Sequence, residues 1–209
     1  MNDIYIYLKG AYVWPGKDRS VIENGCVLIQ NGIIKEIGSQ SEIPAPEDAQ
    51  IIDYREASIL PAFIDAHTHT NFLPMGPDAG KFIQQFDREL IFDIAKNNVK
   101  KALHSGVAVI FDDGGYGYVP CEIRDAVSYG QVEGADVWIC RVCLRRQSKL
   151  SPNRGGDVNA DSKEECEAFI RELIEKDRVD FIKLYLTRGG ATSHLLPYFG
   201  NRAHFHRMS

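Results

Sequence analysis

From residue 59 onward the chain alternates short apolar runs with stretches of helical period. That rhythm is the signature of a parallel sheet flanked by helices rather than of hairpins. Residues 59–66, Ile-Leu-Pro-Ala-Phe-Ile-Asp-Ala, read as a first strand. After a long polar loop, residues 88–104 set Ile91, Ile94, Ala95, Val99 and Leu103 along one helical face, with Gly106 closing the helix. Residues 107–111 form a second strand that ends in Asp112-Asp113-Gly114-Gly115, and a short helix around Ile123, Ala126 and Val127 stops near Gly130. The run Val137-Trp138-Ile139-Cys140-Arg141-Val142-Cys143-Leu144 reads as a third strand. Ser162-Lys163-Glu164-Glu165 is a capping-box pattern that opens a helix whose apolar face is Cys166, Phe169, Ile170, Leu173 and Ile174. Residues 180–186 then read as a fourth strand, running into Thr187-Arg188-Gly189-Gly190. The expected class is therefore α/β.

The segment before residue 59 has a different texture. Leu8-Lys9-Gly10-Ala11 opens it, and two apolar runs within residues 23–38 are joined by Asn31-Gly32. That dipeptide supplies positive φ at both central positions of a tight turn, so a β-hairpin is expected. A small β-region precedes the parallel sheet.

Composition narrows the function classes. The 209 residues are 44% hydrophobic and 25% charged, with a formal net charge of -5. A chain of this kind buries a real core. It shows no basic stripe with interleaved aromatics, so no nucleic-acid partner is expected. No apolar stretch approaches the roughly 18 residues that span a bilayer, so no membrane is expected either. The start, Met1-Asn2-Asp3-Ile4-Tyr5, lacks a basic, apolar leader, and the five cysteines are odd in number and irregularly spaced. Both fit a cytoplasmic setting with reduced thiols. Cys140 and Cys143 form a C-x-x-C, but in a strand such a pair points to opposite faces and no second pair follows, so buried core thiols are expected. A redox protein built on them would need a reactive thiol of low pKa.

Two features carry chemistry. His67 and His69 are two positions apart at the end of the first strand, where i and i+2 share a face with Asp65 and Phe63. Two neutral imidazoles so placed grip one divalent metal. Lys183 lies in the middle of the apolar fourth strand, on a face with Phe181 and Tyr185. Desolvation there would leave part of the amine neutral, and a neutral amine captures carbon dioxide as a carbamate able to bridge two metal ions. Asp112, Arg145, Arg146 and Arg188 also follow strand ends, as loop charges or as contacts to a substrate.

The run Pro61-Ala62-Phe63-Ile64-Asp65-Ala66-His67-Thr68-His69 resembles the first barrel strand of the amidohydrolase superfamily. Residues 106–115, followed by Glu122-Ile123-Arg124-Asp125-Ala126, resemble the second-strand region of its prolidase and imidazolonepropionase branch. Phe181-Ile182-Lys183 with Gly189-Gly190 is similar to the segment that carries a carboxylated lysine in such relatives. The resemblance implies a partial (β/α) TIM-type barrel of about four strand-helix units, behind a small β-sandwich-like region. It implies metal ions, one or two and usually zinc, held by His67, His69 and Lys183, with carboxylated Lys183 as a catalytic residue. It further implies hydrolysis of carbon-nitrogen bonds in a small amide, cyclic amide or dipeptide by a metal-bound hydroxide.

The expected organisation is a β-region at 1–58, a partial barrel at 59–190 and an irregular tail at 191–209. A complete barrel takes roughly 250 residues, so the resemblance also implies truncation after the fourth strand. The tail has no acidic residue, and its His204-Phe205-His206 repeats the H-x-H spacing without a strand around it, which favours solvated histidines. A half-barrel exposes its edges and inner face. A non-catalytic half-barrel that self-associates, or that binds a chain supplying the remaining strands, is therefore the alternative.

Overall fold

The computed structural model describes residues 3–16, 18–73, 83, 85–145, 157–159 and 162–185, with backbone alone at 145, 157–159 and 185. The chain divides into two units, Met1–Ala62 and Phe63–Ser209. Residues 186–209, which hold Arg188, Gly189-Gly190, His204 and His206, lie outside the described residues, as do Arg146 and the side chains of Arg145 and Tyr185.

The first unit is one five-stranded sheet among its described residues: β1 (Tyr5–Val13), β2 (Ile22–Glu23), β3 (Gly25–Gln30), β4 (Ile33–Ser39) and β5 (Gln50–Ile59). β2, β3 and β4 pair antiparallel in the order β2-β1-β3-β4, and β5 runs parallel to β1. The expected hairpin joins β3 to β4, with Asn31 at φ 51 and Gly32 at φ 80. Both signs are positive, as a turn matching the strand twist requires. Asn31 also pins the N-terminus, its Oδ1 accepting from the Ile4 amide at 2.9 Å and its Nδ2 donating to Asp3 at 2.8 Å. Tyr7, Cys26 and Leu28 form a small core, and the Tyr7 hydroxyl donates to the Ile43 carbonyl.

In the second unit every strand pairing among the described residues is parallel. β6 (Phe63–Thr68), β7 (Val107–Asp112) and β8 (Asp136–Ile139) form one sheet, with α1 (Arg88–His104) between β6 and β7 and α2 (Val119–Ser128) between β7 and β8. β9 (Cys143–Arg145), β10 (Asp157–Asn159) and β11 (Lys183–Tyr185) form a second, ordered β10-β9-β11. α3 (Lys163–Glu172) runs into a π-helical turn at Leu173–Asp177 before β11.

The helices begin and end where their termini find partners. The Asp87 carboxylate accepts the Leu90 amide at 2.8 Å to cap α1, and Gly106 at φ 88 follows its end. Both arms of the expected capping box form at Ser162 and Glu165. Ile91, Ala95 and Val99 of α1 and Ile123 of α2 are fully buried beside Ile110, Val137 and Ile139 of the sheet. Each such isoleucine or valine contributes about 1.5–3 kcal/mol over leaving it in water, which anchors both helices to one face. By strand alternation Phe111 and Trp138 point the other way, and Phe111 packs its ring 5.1 Å from Trp138 and 5.5 Å from Phe181.

The structure differs from the sequence reading in four places. Ile59 completes β5, and Leu60-Pro61-Ala62 connects it to a first parallel strand that starts only at Phe63, since Pro61 has no N–H to give a ladder. The third strand is broken between Ile139 and Cys143, where Arg141 takes φ 61. Arg141 is held there by its ion pair with Asp177 and by its guanidinium lying 4.7 Å from the Tyr118 ring centre. Beyond Leu173, which is fully buried, the apolar face of α3 is only partly covered. β10 was not legible as a strand, being three residues long.

Candidate active site

The ends of β6 and β7 are laced together by one carboxylate. Thr68 and Asp112 are register partners, and the Asp113 amide donates to the Thr68 carbonyl at 2.9 Å. Asp112 is fully buried. It accepts from the Thr70 amide at 3.2 Å, from the Thr70 hydroxyl, and from the Gly114 amide at 2.9 Å. Burial pushes its pKa above the usual carboxylate value, against the pull of these donors and of His69. Asp112 is therefore a structural tie, not the substrate contact or solvated loop charge that its strand-end position suggested.

The glycines after it let backbone approach closely. Gly114 sits at φ +102, beside the Cys143 sulfur, and a side chain at Gly115 would collide with the buried Asn71 amide. Gly114 turns its carbonyl to His69 Nδ1 at 2.6 Å. A carbonyl only accepts, so Nδ1 carries a proton, as in the tautomer in which histidines ligate metals through Nε2. His69 also stacks on Phe72 with ring centres 5.0 Å apart.

His67 and Lys183 converge on one atom. His67 Nε2 and Lys183 Nζ each lie 3.1 Å from Oδ2 of Asp113, whose carboxylate is largely buried. The Asp113 carbonyl accepts from the Cys143 thiol at 3.0 Å. Asp65, expected beside the histidines, turns its carboxylate to the His67 amide at 3.2 Å. Thus three of the residues picked from sequence, His67, His69 and Lys183, gather with Asp113, which sequence reasoning passed over. Its signal was present: a carboxylate directly after a parallel strand, followed by Gly-Gly.

The spacing of the two rings is that of imidazoles able to share a cation. Two imidazoles bound through nitrogen to one ion at ~2.0–2.1 Å have ring centres about 5–6 Å apart, and those of His67 and His69 are 5.8 Å apart. Among the described residues no three side chains of His, Cys, Asp or Glu already form a metal cluster, so a full set draws on Lys183 or on donors elsewhere.

Cys140 and Cys143 are both buried, as expected, but the break at Arg141 brings them together rather than onto opposite faces. The hydrogen bond that the Cys140 thiol gives to Cys143, and then burial, hold the Cys140 thiol well above its usual pKa. A reactive thiolate is disfavoured there, and the redox reading with it. Among the described residues no helix is long and apolar enough to cross a membrane.

No protein-family model matches the chain. An imidazolonepropionase of Clostridium tetani is 31% identical over 133 residues, which is 49% of this chain and 31% of that protein. Among solved structures, ochratoxinase of A. niger superposes with a TM-score of 0.73 at 19% identity, covering 90% of this chain and 48% of the other. A Xaa-Pro dipeptidase with bound methionine gives 0.70 at 21% identity, covering 88% and 48%. At those identities the structures speak for the fold, and the chain spans about half or less of the length of each relative.

The Asp112 tie makes a prediction. In the unfolded chain Asp112 ionises near 3.8, and burial raises that value in the fold. Its stabilising contribution is full below the unfolded value and is lost as pH rises through the folded one. The uncharged Asp112→Asn variant has no such titration, so the stability advantage of the native chain over it narrows as pH rises. Urea midpoints of both proteins between about pH 4 and pH 8 measure this, and an advantage that widens with pH would contradict it.

Sequence matches to imidazolonepropionases over part of the chain, together with the shared fold, support an amidohydrolase superfamily assignment.

Proposed function

We propose that this chain carries the metal-binding half of a hydrolase that acts on carbon-nitrogen bonds of a small amide, cyclic amide or dipeptide. The observation that supports it most is the convergence of His67 and Lys183 on one point, with His69 beside them in the ligand tautomer. In this reading the second unit is four strand-helix units of a (β/α) barrel: β6, β7, the broken strand β8 with β9, and β11. His67 and His69 then sit at and just past the end of β6, where barrel enzymes place ligands, while Lys183 opens β11. A β-region followed by a barrel segment is part of this reading, with the division after Ala62 rather than after residue 58.

His67, His69 and Lys183 would hold one or two divalent ions, with zinc the best fit to imidazole donors. Such an ion supplies Lewis acidity and an activated water at neutral pH. The chain's own groups orient this site. Gly114 fixes the His69 tautomer, Phe72 holds the ring plane, and Asp113 draws His67 and Lys183 to one side. Lys183, carboxylated, would be the catalytic bridging group. The free, buried thiols of Cys26, Cys121, Cys140 and Cys143 support a reducing, cytoplasmic setting.

His67→Ala is expected to abolish tight metal binding. Metal content per chain, measured by plasma mass spectrometry on freshly purified protein, should fall from about one or two zinc-like ions to near none. Unchanged zinc in the variant would sink the site assignment.

A second reading, a non-catalytic half-barrel completed by another copy or by a segment carrying the remaining strands, is favoured by exposed apolar surface. Phe63 is 60% and Trp138 45% exposed, and β6 pairs with β7 alone among the described strands. Sedimentation equilibrium at micromolar concentration would give a stable homodimer if the chain completes itself. A strict monomer would rule out that form of the reading.

A further inference from the structure

We propose that Arg141 is a positioning residue for His69, acting through the Gly114-Gly115 peptide and anchored from behind by Asp177. Its effect on metal binding rests on the reading of His69 as a ligand; its effect on the ring does not.

One peptide plane links the two residues. The Gly114 carbonyl accepts from His69 Nδ1 at 2.6 Å, and the Gly115 amide donates to the Arg141 carbonyl at 3.0 Å. Those two groups belong to the same planar trans unit, in which C=O and N–H point in opposite directions. The bond to Arg141 therefore aims the carbonyl that meets His69. Flanking bonds keep the turn on its seat: the Cys140 amide donates to the Asp112 carbonyl at 3.2 Å, and the Cys143 thiol donates to the Asp113 carbonyl at 3.0 Å. Little space separates the two segments, since a side chain at Gly114 would stand 3.2 Å from the Cys143 sulfur and 3.4 Å from the Arg141 carbonyl oxygen. A shift in one is passed to the other.

Arg141 presents that carbonyl from a left-handed conformation, φ 61, which a glycine adopts more readily than an arginine. Its side chain supplies the hold. The guanidinium pairs with the Asp177 carboxylate, both largely buried, and lies 4.7 Å from the Tyr118 ring centre. Asp177 is itself fixed from α2, where Arg124 Nη1 donates to the carbonyls of Asp177 at 3.1 Å and Arg178 at 2.8 Å. Removing either charge of a buried pair leaves the other without a partner, so the break loses the contact that keeps it in place.

The test reads the His69 ring directly. Full-length chain labelled with ¹⁵N at histidine and stripped of metal by chelator gives long-range proton–nitrogen spectra at about pH 8, where the two neutral tautomers are distinct. The His69 signal is identified by its loss in His69→Gln. The native chain should show the form protonated at Nδ1. Asp177→Asn and Arg141→Asn, each first checked by circular dichroism, should show the form protonated at Nε2 alongside it or in its place. Arg141→Lys, which keeps a charge for Asp177, should retain the native form. Co²⁺ affinity should fall about 10–100-fold in the two asparagine variants, the cost of losing an outer partner of a ligand.

Asp177→Asn is isosteric and leaves residue 141 untouched, so it decides the matter should Arg141→Asn fail to fold. Folded asparagine variants with the native His69 pattern would overturn the proposal and leave the ion pair a purely structural contact. A native chain protonated at Nε2 of His69 would overturn it as well. A native chain that takes up no Co²⁺, while its His69 signal responds to the variants as expected, would strike the metal reading and leave Arg141 in its role.

Discussion

A carboxylate shut away from water must find its donors inside the protein, and Asp112 finds them in two loops at once. Thr70 follows β6 and Gly114 follows β7, so a single side chain fixes the spacing of the two strand ends. The consequence reaches the functional groups through Gly114, whose amide serves Asp112 and whose carbonyl serves His69. One residue therefore relates a buried acid to the proton position on a histidine. Partly satisfied polar networks are costly, so the loops behave as one unit. The tight turn this needs explains the Gly-Gly, the first glycine at a left-handed φ and the second against Asn71.

Much of this architecture was legible in the chain because it depends on local rules. The α1 period, the capping box at Ser162 and the Asn31-Gly32 turn each follow from a few neighbouring residues, and each appears in place. What was not legible depends on distant partners. The break at Arg141 is stabilised by Asp177 and Tyr118, far away in sequence, so residues 137–144 read as one apolar strand until those partners are seen. The same break explains why Cys140 and Cys143 meet instead of facing apart.

The candidate site divides in the same way. His67 and His69 announce themselves by spacing, and Lys183 by being a lysine in an apolar run. Asp112 and Asp113 are indistinguishable on paper, adjacent acids before two glycines. Strand alternation separates them, sending Asp112 beneath the loops and Asp113 towards His67 and Lys183. In parallel α/β folds the carboxyl ends of the strands are where ligands gather. Function itself rests on the groups at those ends rather than on the fold.

The central claim is that His67 and His69 hold one divalent ion together. Anomalous diffraction at the zinc edge, from crystals of the full chain grown with zinc, tests it most directly. The account predicts a peak within ~2.0–2.2 Å of a ring nitrogen of both histidines. A zinc-loaded crystal with no anomalous density between the two rings, or with the ion bound only elsewhere, would contradict it.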